Sequence, residues 1–326
     1  MIQWFPGHMA KTRKLMTENL RLVDVVVEMV DARLPMSSRN PLIDDLIGAK
    51  PRLIIMAKED LAESEMTKAW IRNFEAAGWP AIAGNFRTTN PKILIKLLTA
   101  GIEKQAEQVL ERRRNRGIMN TSIRVMVTGI PNVGKSTLIN LFAGKARAET
   151  GDKPGVTRGK QWIRLEKDLE LLDMPGILWP KIEDPEAARK LAVTGAIGDN
   201  AYDPMELSLW LIQWLRTHRP GRLTQRYGIS EIVTESELGE EMDVLREDTS
   251  EVKEVHFILE AIARRRGFLR KGGHVELDKA AVMLLDELRG GKLGPVTWDD
   301  PDTFVVPIQV DHEKAQIAED VRSDEE

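Results

Sequence analysis

The chain has 326 residues, 42% hydrophobic and 30% charged, with a formal net charge of -4, the make-up of a soluble globular protein of about two domains. It has no cysteine, which excludes disulfides and thiolate metal sites, and its five histidines (His8, His218, His256, His274, His312) lack metal-ligand spacing. No signal-peptide core and no bilayer-length apolar run is present, so a cytoplasmic protein with no membrane partner is expected.

Met1-Ile2-Gln3-Trp4-Phe5-Pro6-Gly7-His8-Met9 forms a short apolar arm ending in a Pro-Gly turn, with Trp4 and Phe5 suited to plug it into the core. Lys11 to Leu22 reads as an amphipathic helix with Leu15, Asn19 and Leu22 on one side. Val23 to Val30 reads as a buried parallel strand, ended by Asp31-Ala32-Arg33 and a loop from Pro35 to Pro41. A short helix (Leu42 to Ile47) and a second buried strand (Arg52 to Met56) follow, and that strand ends in Ala57-Lys58-Glu59-Asp60. Then come a helix at 65–77, a strand from Pro80 to Ala83, a loop at Gly84-Asn85, a helix starting over Pro91 to Leu98, and a charged helical run from Glu103 to Arg116. That run is either a solvated face or a contact to phosphate backbone. Strands alternating with helices predict a doubly wound α/β sheet, whose ligands bind at the carboxyl ends of the strands.

The most informative stretch is Thr128-Gly129-Ile130-Pro131-Asn132-Val133-Gly134-Lys135-Ser136-Thr137, after an apolar run from Ile123 to Val127 and before a helical pattern at Leu138, Ile139, Leu141 and Phe142. Strand, glycine-rich loop, Gly-Lys-Ser and helix form a phosphate-binding loop in its required context. Glycines let backbone N–H groups approach a polyphosphate at a helix N-terminus. Asn132, Val133, Gly134, Lys135, Ser136 and Thr137 are therefore the candidate phosphate-binding residues. Lys135 would reach the β/γ-phosphates and Ser136 would hold Mg2+.

The polar stretch Gly151-Asp152-Lys153-Pro154-Gly155-Val156-Thr157-Arg158 follows, where Thr157 can complete the Mg2+ shell. A strand over Leu169 to Leu172 leads into Asp173-Met174-Pro175-Gly176. Asp173 reaches the metal and the Gly176 N–H senses the γ-phosphate. Ile177 stands where many GTPases place a water-orienting glutamine, so that role falls to another group or turnover is slow. Beyond Trp179 helical patterns cover Pro185 to Ala196, Pro204 to Thr217, Val252 to Arg266 and Asp278 to Leu288, and from Asp300 the chain is rich in Pro, Asp and Glu. The expected domains are 1–185 for nucleotide, 186–295 all-helical, and 296–326 an acidic mobile tail.

In an ordinary GTPase the base motif, Asn-Lys-x-Asp, follows Asp-x-x-Gly. Here the one strand-borne candidate lies upstream: Lys58 to cover the base and Asp60 to accept the guanine N1–H and 2-amino group, unless Asp60 merely caps a helix. The motif order is rotated, which preserves a site when the old termini lay close together.

Six pieces together resemble the circularly permuted GTPases of bacterial ribosome assembly, of the RbgA (YlqF) type. They are Trp4 to Met9, Asp31-Ala32-Arg33 with Ser37-Ser38-Arg39-Asn40-Pro41, Gly129 to Ser136, Pro154 to Thr157, Asp173 to Gly176, and Leu288-Arg289-Gly290-Gly291-Lys292-Leu293-Gly294. The resemblance implies a circularly permuted P-loop GTPase domain with a mostly parallel sheet, then a smaller all-α domain. It implies GTP hydrolysis, with Mg2+, coupled to maturation of the large ribosomal subunit, and a helical domain that touches ribosomal RNA. It further implies that Asn132 helps hold K+, that Ile177 is the hydrophobic replacement for the catalytic glutamine, and that His8 is the catalytic candidate for positioning water. Arg264, Arg265, Arg266, Arg270 and Lys271 are the candidate RNA contacts, with Arg112, Arg113, Arg114 and Arg116 a second basic cluster. The departure is Ala57 in place of the motif's asparagine, which predicts weaker guanine affinity with selectivity kept by Asp60. Two rivals remain: an RNA- or ribosome-binding adaptor with a weak or inactive nucleotide site, favoured by Ala57 and Ile177, and a P-loop kinase or ATPase, disfavoured by Thr157 with Asp-x-x-Gly.

Overall fold

Aliphatic runs without polar alternation are stable as strands only when both faces are covered. β1 (Val25–Asp31) and β2 (Arg52–Ala57) are buried along their whole length. The computed structural model describes residues 16–48, 50–119, 122–144, 161–164, 169–173, 182, 184–233 and 250–305. His8, Thr157, Gly176 and Ile177 lie outside the described residues, as do the N-terminal arm and most of the expected tail.

With β3 (Ala81–Gly84), β4 (Ile123–Gly129), β5 (Gln161–Arg164) and β6 (Leu169–Asp173), the strands form one sheet in the order β3-β2-β1-β4-β6-β5. Every neighbouring pair is parallel except β5 with β6. The parallel register aligns the carboxyl ends: Asp31 faces Ala57, Ala57 faces Gly84, and Val127 faces Asp173. β5 was not expected from the sequence.

Both faces of the sheet are covered. On one, Met16 and Leu20 at the end of a helix pack with Val23, Val26, Met126 and Leu172 and with Ile43 and Ile47 of α1 (Pro41–Ile47). The buried side of that first helix thus carries Met16, Asn19 and Leu20, whereas Leu22, expected inside, is 45% exposed. Farther along the same face, Ile54, Met56 and Val30 meet Trp70 and Phe74 of α2 (Ser64–Ala76), while Leu53 and Ile82 on the opposite face lie against Gly101. The two expected helical runs between Pro91 and Arg116 are one helix, α3 (Pro91–Asn115), capped by the Asn90 side chain accepting from the Lys92 N–H at 3.0 Å. Its buried stripe, Leu94, Leu98, Ile102 and Ala106, keeps a four-residue spacing that one helix presents on one side. α4 (Lys135–Ala143) follows the phosphate loop.

A buried ionic cluster crosses this unit. Glu28 of β1 takes a bidentate pair from Arg39 at 3.1 and 3.1 Å, and Arg39 also meets Asp44 at 2.6 Å. The Arg39 guanidinium lies 4.1 Å over the Trp79 ring. Glu28, which interrupts the apolar pattern of β1, is thereby neutralised in place.

The chain divides into two units, and Glu183–Pro295 belongs to the helical one. Its helices are α5 (Pro185–Val193), α6 (Pro204–His218), α7 (Arg222–Tyr227), α8 (Ser250–Arg265) and α9 (Leu277–Arg289). Asp184 and Asp203 cap α5 and α6 through the N–H groups of Glu186 and Met205, each before a proline at the first helical position. Glu287 of α9 gathers Arg226 at 2.8 and 2.7 Å, the Tyr227 hydroxyl at 3.0 Å and Arg266 at 3.1 Å. Among the described residues no helix is long and apolar enough to cross a membrane.

From Val296 the chain belongs again to the sheet unit. Val296, Trp298 and Asp299 are buried, and Phe304 joins an aromatic cluster with Trp70, Phe74 and Trp79. Residues 296–304 are thus a folded strap, not the start of a mobile tail. The Phe304 ring and the Asp299 carbonyl oxygen, which accepts from Trp70 Nε1, find partners more than 200 positions away.

Candidate nucleotide site

The phosphate loop is shaped by backbone conformation. Gly129 and Gly134 sit at φ 151° and 114°. A Cβ on Gly129 would collide with the Met29 carbonyl oxygen, so only glycine lets β4 turn this close to β1. Gly134 is the N-cap of α4, which puts the N–H groups of the helix's first turn at the loop. Val133 is buried beneath the loop and Asn132 is exposed on it. Lys135 is buried, and its ammonium donates to the carbonyl oxygens of Gly129 at 3.2 Å and Ile130 at 2.8 Å. Ser136 and Thr137 are half-buried in the first turn of α4. Asp173 ends β6, two strand positions over from β1 in the sheet order.

The other half of the site lies across β1. Lys58 follows β2 with φ 59°, ψ 39°, and leads into a 3-10 turn over Glu59–Leu61. Among the described residues only Lys58 and Asn132 are non-glycines in the left-handed region, and both belong to the predicted site. Such conformations cost energy and persist where surrounding structure over-determines them. Asp60 is exposed within the turn and caps no helix: the turn's N-cap is Lys58, and that of α2 is Glu63. The capping alternative for Asp60 is thereby removed. Ala57 is fully buried, and its Cβ lies 3.8 Å from where a Cβ on Gly134 would be. The position normally held by asparagine thus abuts the phosphate loop but offers it no polar group. Asn85, after β3, turns its side-chain oxygen back to the N–H groups of Arg87 and Thr88 at 2.9 and 3.2 Å.

Lys58 is fixed by Asp31, to which no role attached in the sequence. Its Nζ meets Asp31 Oδ2 at 2.9 Å. Arg33 forks onto the same carboxylate at 2.9 and 2.7 Å, and its backbone N–H adds a third bond at 3.0 Å. Burial pushes the Asp31 carboxyl up, but the charges of Arg33 and Lys58 outweigh it and hold the group well below the usual carboxylate range. The signal in the sequence is Asp31-Ala32-Arg33 at the end of a strand, one of the pieces that carry the family resemblance.

The basic residues of the helical unit do not all face solvent freely. Arg264 pairs with Glu260 and Arg270 with Glu276, both on exposed surface, while Arg265 and Lys271 are exposed. Arg266, also exposed, pairs with Glu287 and lies over the Tyr227 ring at 5.1 Å. In the other cluster, Arg113 is tied to Ser122 O and Asp24.

Among the described residues no three acidic or histidine side chains converge as a ready metal cage. A Mg2+ ion at such a loop takes most of its ligands from phosphate and water, so one hydroxyl at Ser136 and one carboxylate position at Asp173 fit that donor set.

The family model described as 50S ribosome-binding GTPase matches residues 124–237. The protein named Ribosome biogenesis GTPase A of Bacillus cereus is 44% identical over 304 residues, covering 93% of this chain and 95% of that one. Its namesake in Priestia megaterium is 42% identical over 308 residues, covering 94% and 99%. The solved structure titled GNP-bound YlqF from T. maritima superposes with a TM-score of 0.59 at 27% identity, covering 90% of this chain and 100% of that one.

Proposed function

The chain belongs to the ribosome biogenesis GTPase A family and is a GTPase of ribosome maturation, and from that premise we propose that it acts as a switch on the precursor of the large subunit. One observation carries the reading of the site. The phosphate loop, Lys58 to Asp60 and Asp173 all stand at the carboxyl ends of the parallel strands of one sheet, although the chain reaches them in rotated order.

In this reading the N–H groups of the loop and of the first turn of α4 receive the phosphates, and Gly176 reports the γ-phosphate. The Lys135 ammonium leaves the two loop carbonyls for the β/γ oxygens. Ser136, Thr157 and Asp173 would hold Mg2+, which neutralises charge developing on the phosphate oxygens. Asn132, exposed on the loop, helps hold K+ in this reading. Asp60 accepts from the guanine N1–H and 2-amino group while the Lys58 stem covers the base. Adenine offers no such donor pair, so the carboxylate selects guanine. Ile177 has no group to orient water, so His8 takes that role, and turnover is slow until the subunit is bound. The exposed cations Arg264, Arg265, Arg266, Arg270 and Lys271 serve contact to ribosomal RNA, a phosphate-directed interaction that weakens with salt. A ribosomal partner of this kind places the work in the cytoplasm. Family membership favours the switch over an adaptor with a dead site.

The test is sedimentation of the purified protein with separated ribosomal subunits. Co-migration with the large subunit in a non-hydrolysable GTP analogue, lost in GDP, is expected. Equal behaviour in both nucleotides would show that this chain is no switch.

A further inference from the structure

The strap at 296–304 does more than fill a groove. Its backbone joins the two loops that carry the base site. The Val296 N–H donates to Leu61 O at 2.9 Å, at the end of the turn that holds Asp60. The Trp298 N–H donates to Arg33 O at 2.8 Å. Thr297 and Glu63 exchange two bonds, at 3.0 and 3.1 Å.

Between these points sits Asp299, 6% exposed. Its Oδ2 accepts from the consecutive N–H groups of Met36 and Ser37 at 2.9 and 2.7 Å, and its Oδ1 from the Ser37 hydroxyl at 2.6 Å. Bonds to an ionised acceptor are about twice as strong as neutral ones. The next residue, Ser38, accepts the Asp31 N–H at 2.9 Å and donates to Leu34 O. Asp31 in turn fixes Lys58. A continuous set of bonded groups therefore runs from the strap through the 34–38 loop to the lysine of the base motif. This chain depends on that route, because Ala57 supplies no side-chain bond to hold the motif from the phosphate-loop side.

We infer that Asp299 is a positioning residue for guanine recognition, setting Asp31 and Lys58 through the 34–38 loop. The inference rests on the reading of Lys58 and Asp60 as the guanine site.

The test uses the full-length protein and its variants Asp299→Ala, Asp299→Asn and Ser37→Ala. Affinity for fluorescent GDP and ADP, steady-state GTP hydrolysis and thermal unfolding are measured on each. Asp299→Ala should weaken GDP binding about tenfold, the worth of one hydrogen bond to a charged group. KM for GTP should rise in step, kcat at saturation should stay within about twofold, and weak ADP binding should hardly move. Asp299→Asn and Ser37→Ala should give smaller shifts of the same kind. A folded Asp299→Ala protein with wild-type GDP affinity overturns the inference, and so does an equal loss for GDP and ADP. Should Asp299→Ala fail to fold, Ser37→Ala decides, since it removes one hydroxyl, and unchanged GDP affinity there is equally fatal. Asp60→Asn tests the underlying reading separately. It should exchange guanine for xanthine preference, and if guanine preference survives, the base-site assignment fails whatever Asp299 does.

Discussion

Asp31→Asn is the most demanding perturbation of the sheet unit. The carboxylate is buried and takes bonds from Arg33 at 2.9 and 2.7 Å and from Lys58 at 2.9 Å. An amide of the same shape would turn an NH2 group toward these donors and leave the Arg33 guanidinium, whose side chain is 4% exposed, without its counter-charge. Removing one partner of a buried pair costs about 3–5 kcal/mol. Arg33 accounts for most of this, because the Lys58 side chain is 27% exposed and recovers hydration. Against a total stability of about 5–15 kcal/mol the loss is large. For a unit of this size it corresponds to a Tm lower by about 6–20 °C. Circular dichroism melts without nucleotide read the shift. The pH dependence sharpens the test. The Asp31 carboxyl is held well below its ordinary value, so its contribution is complete above the unfolded carboxylate range. It is lost only as pH falls through that range toward the lowered value. The wild type should therefore lose stability on acidification more steeply than the variant, and the two should converge in strong acid. A Tm change under about 2 °C at pH 7 would refute the view that this carboxylate organises the site.

Two further substitutions probe other parts of the molecule. Ala57→Asn supplies the amide that the motif lacks, next to a loop where Gly134 has no Cβ. Fluorescent-GDP titration should show binding about tenfold tighter, and unchanged or weaker binding would mean that the pocket has no room for the side chain. In the helical unit, hydrogen bonds from Arg226 hold the Glu287 carboxyl at about 2, against burial and with help from Tyr227 and Arg266. Its contribution is full above the ordinary glutamate range and fades as pH falls toward 2. Glu287→Gln should lower the pH 7 Tm, at a cost of about 1.5–3 kcal/mol, and flatten the acid limb of the stability curve. An unchanged acid limb would contradict this.

Sequence and structure agree where the information is local. The phosphate loop carries its own glycines, lysine and flanking strand, and β1 and β2 are single apolar runs that have no other stable placement. The elements missed are those whose stability comes from elsewhere. β5 is a four-residue edge strand, Gln161-Trp162-Ile163-Arg164, too short to announce itself, and it exists because β6 lies beside it. The strap reads as a polar, proline-containing tail until Trp70, Asn73 and the 36–37 loop are brought to it. Asp31 looked like the end of a strand, and only the fold shows Lys58 turned onto it. Arg266 reads as one of a basic triplet, and only the fold shows that this exposed side chain is paired with Glu287 of a distant helix.

The central claim is that a rotated GTPase site, missing its usual asparagine and glutamine, is switched on by the ribosome. GTP hydrolysis by the purified protein, measured in potassium and in sodium buffer with and without large ribosomal subunits, tests it most directly. The account predicts slow turnover alone and strong stimulation by subunits, greater in potassium, with the stimulation removed by His8→Ala. Binding to the subunit with no hydrolysis under any of the four conditions would contradict it and leave the adaptor reading in its place.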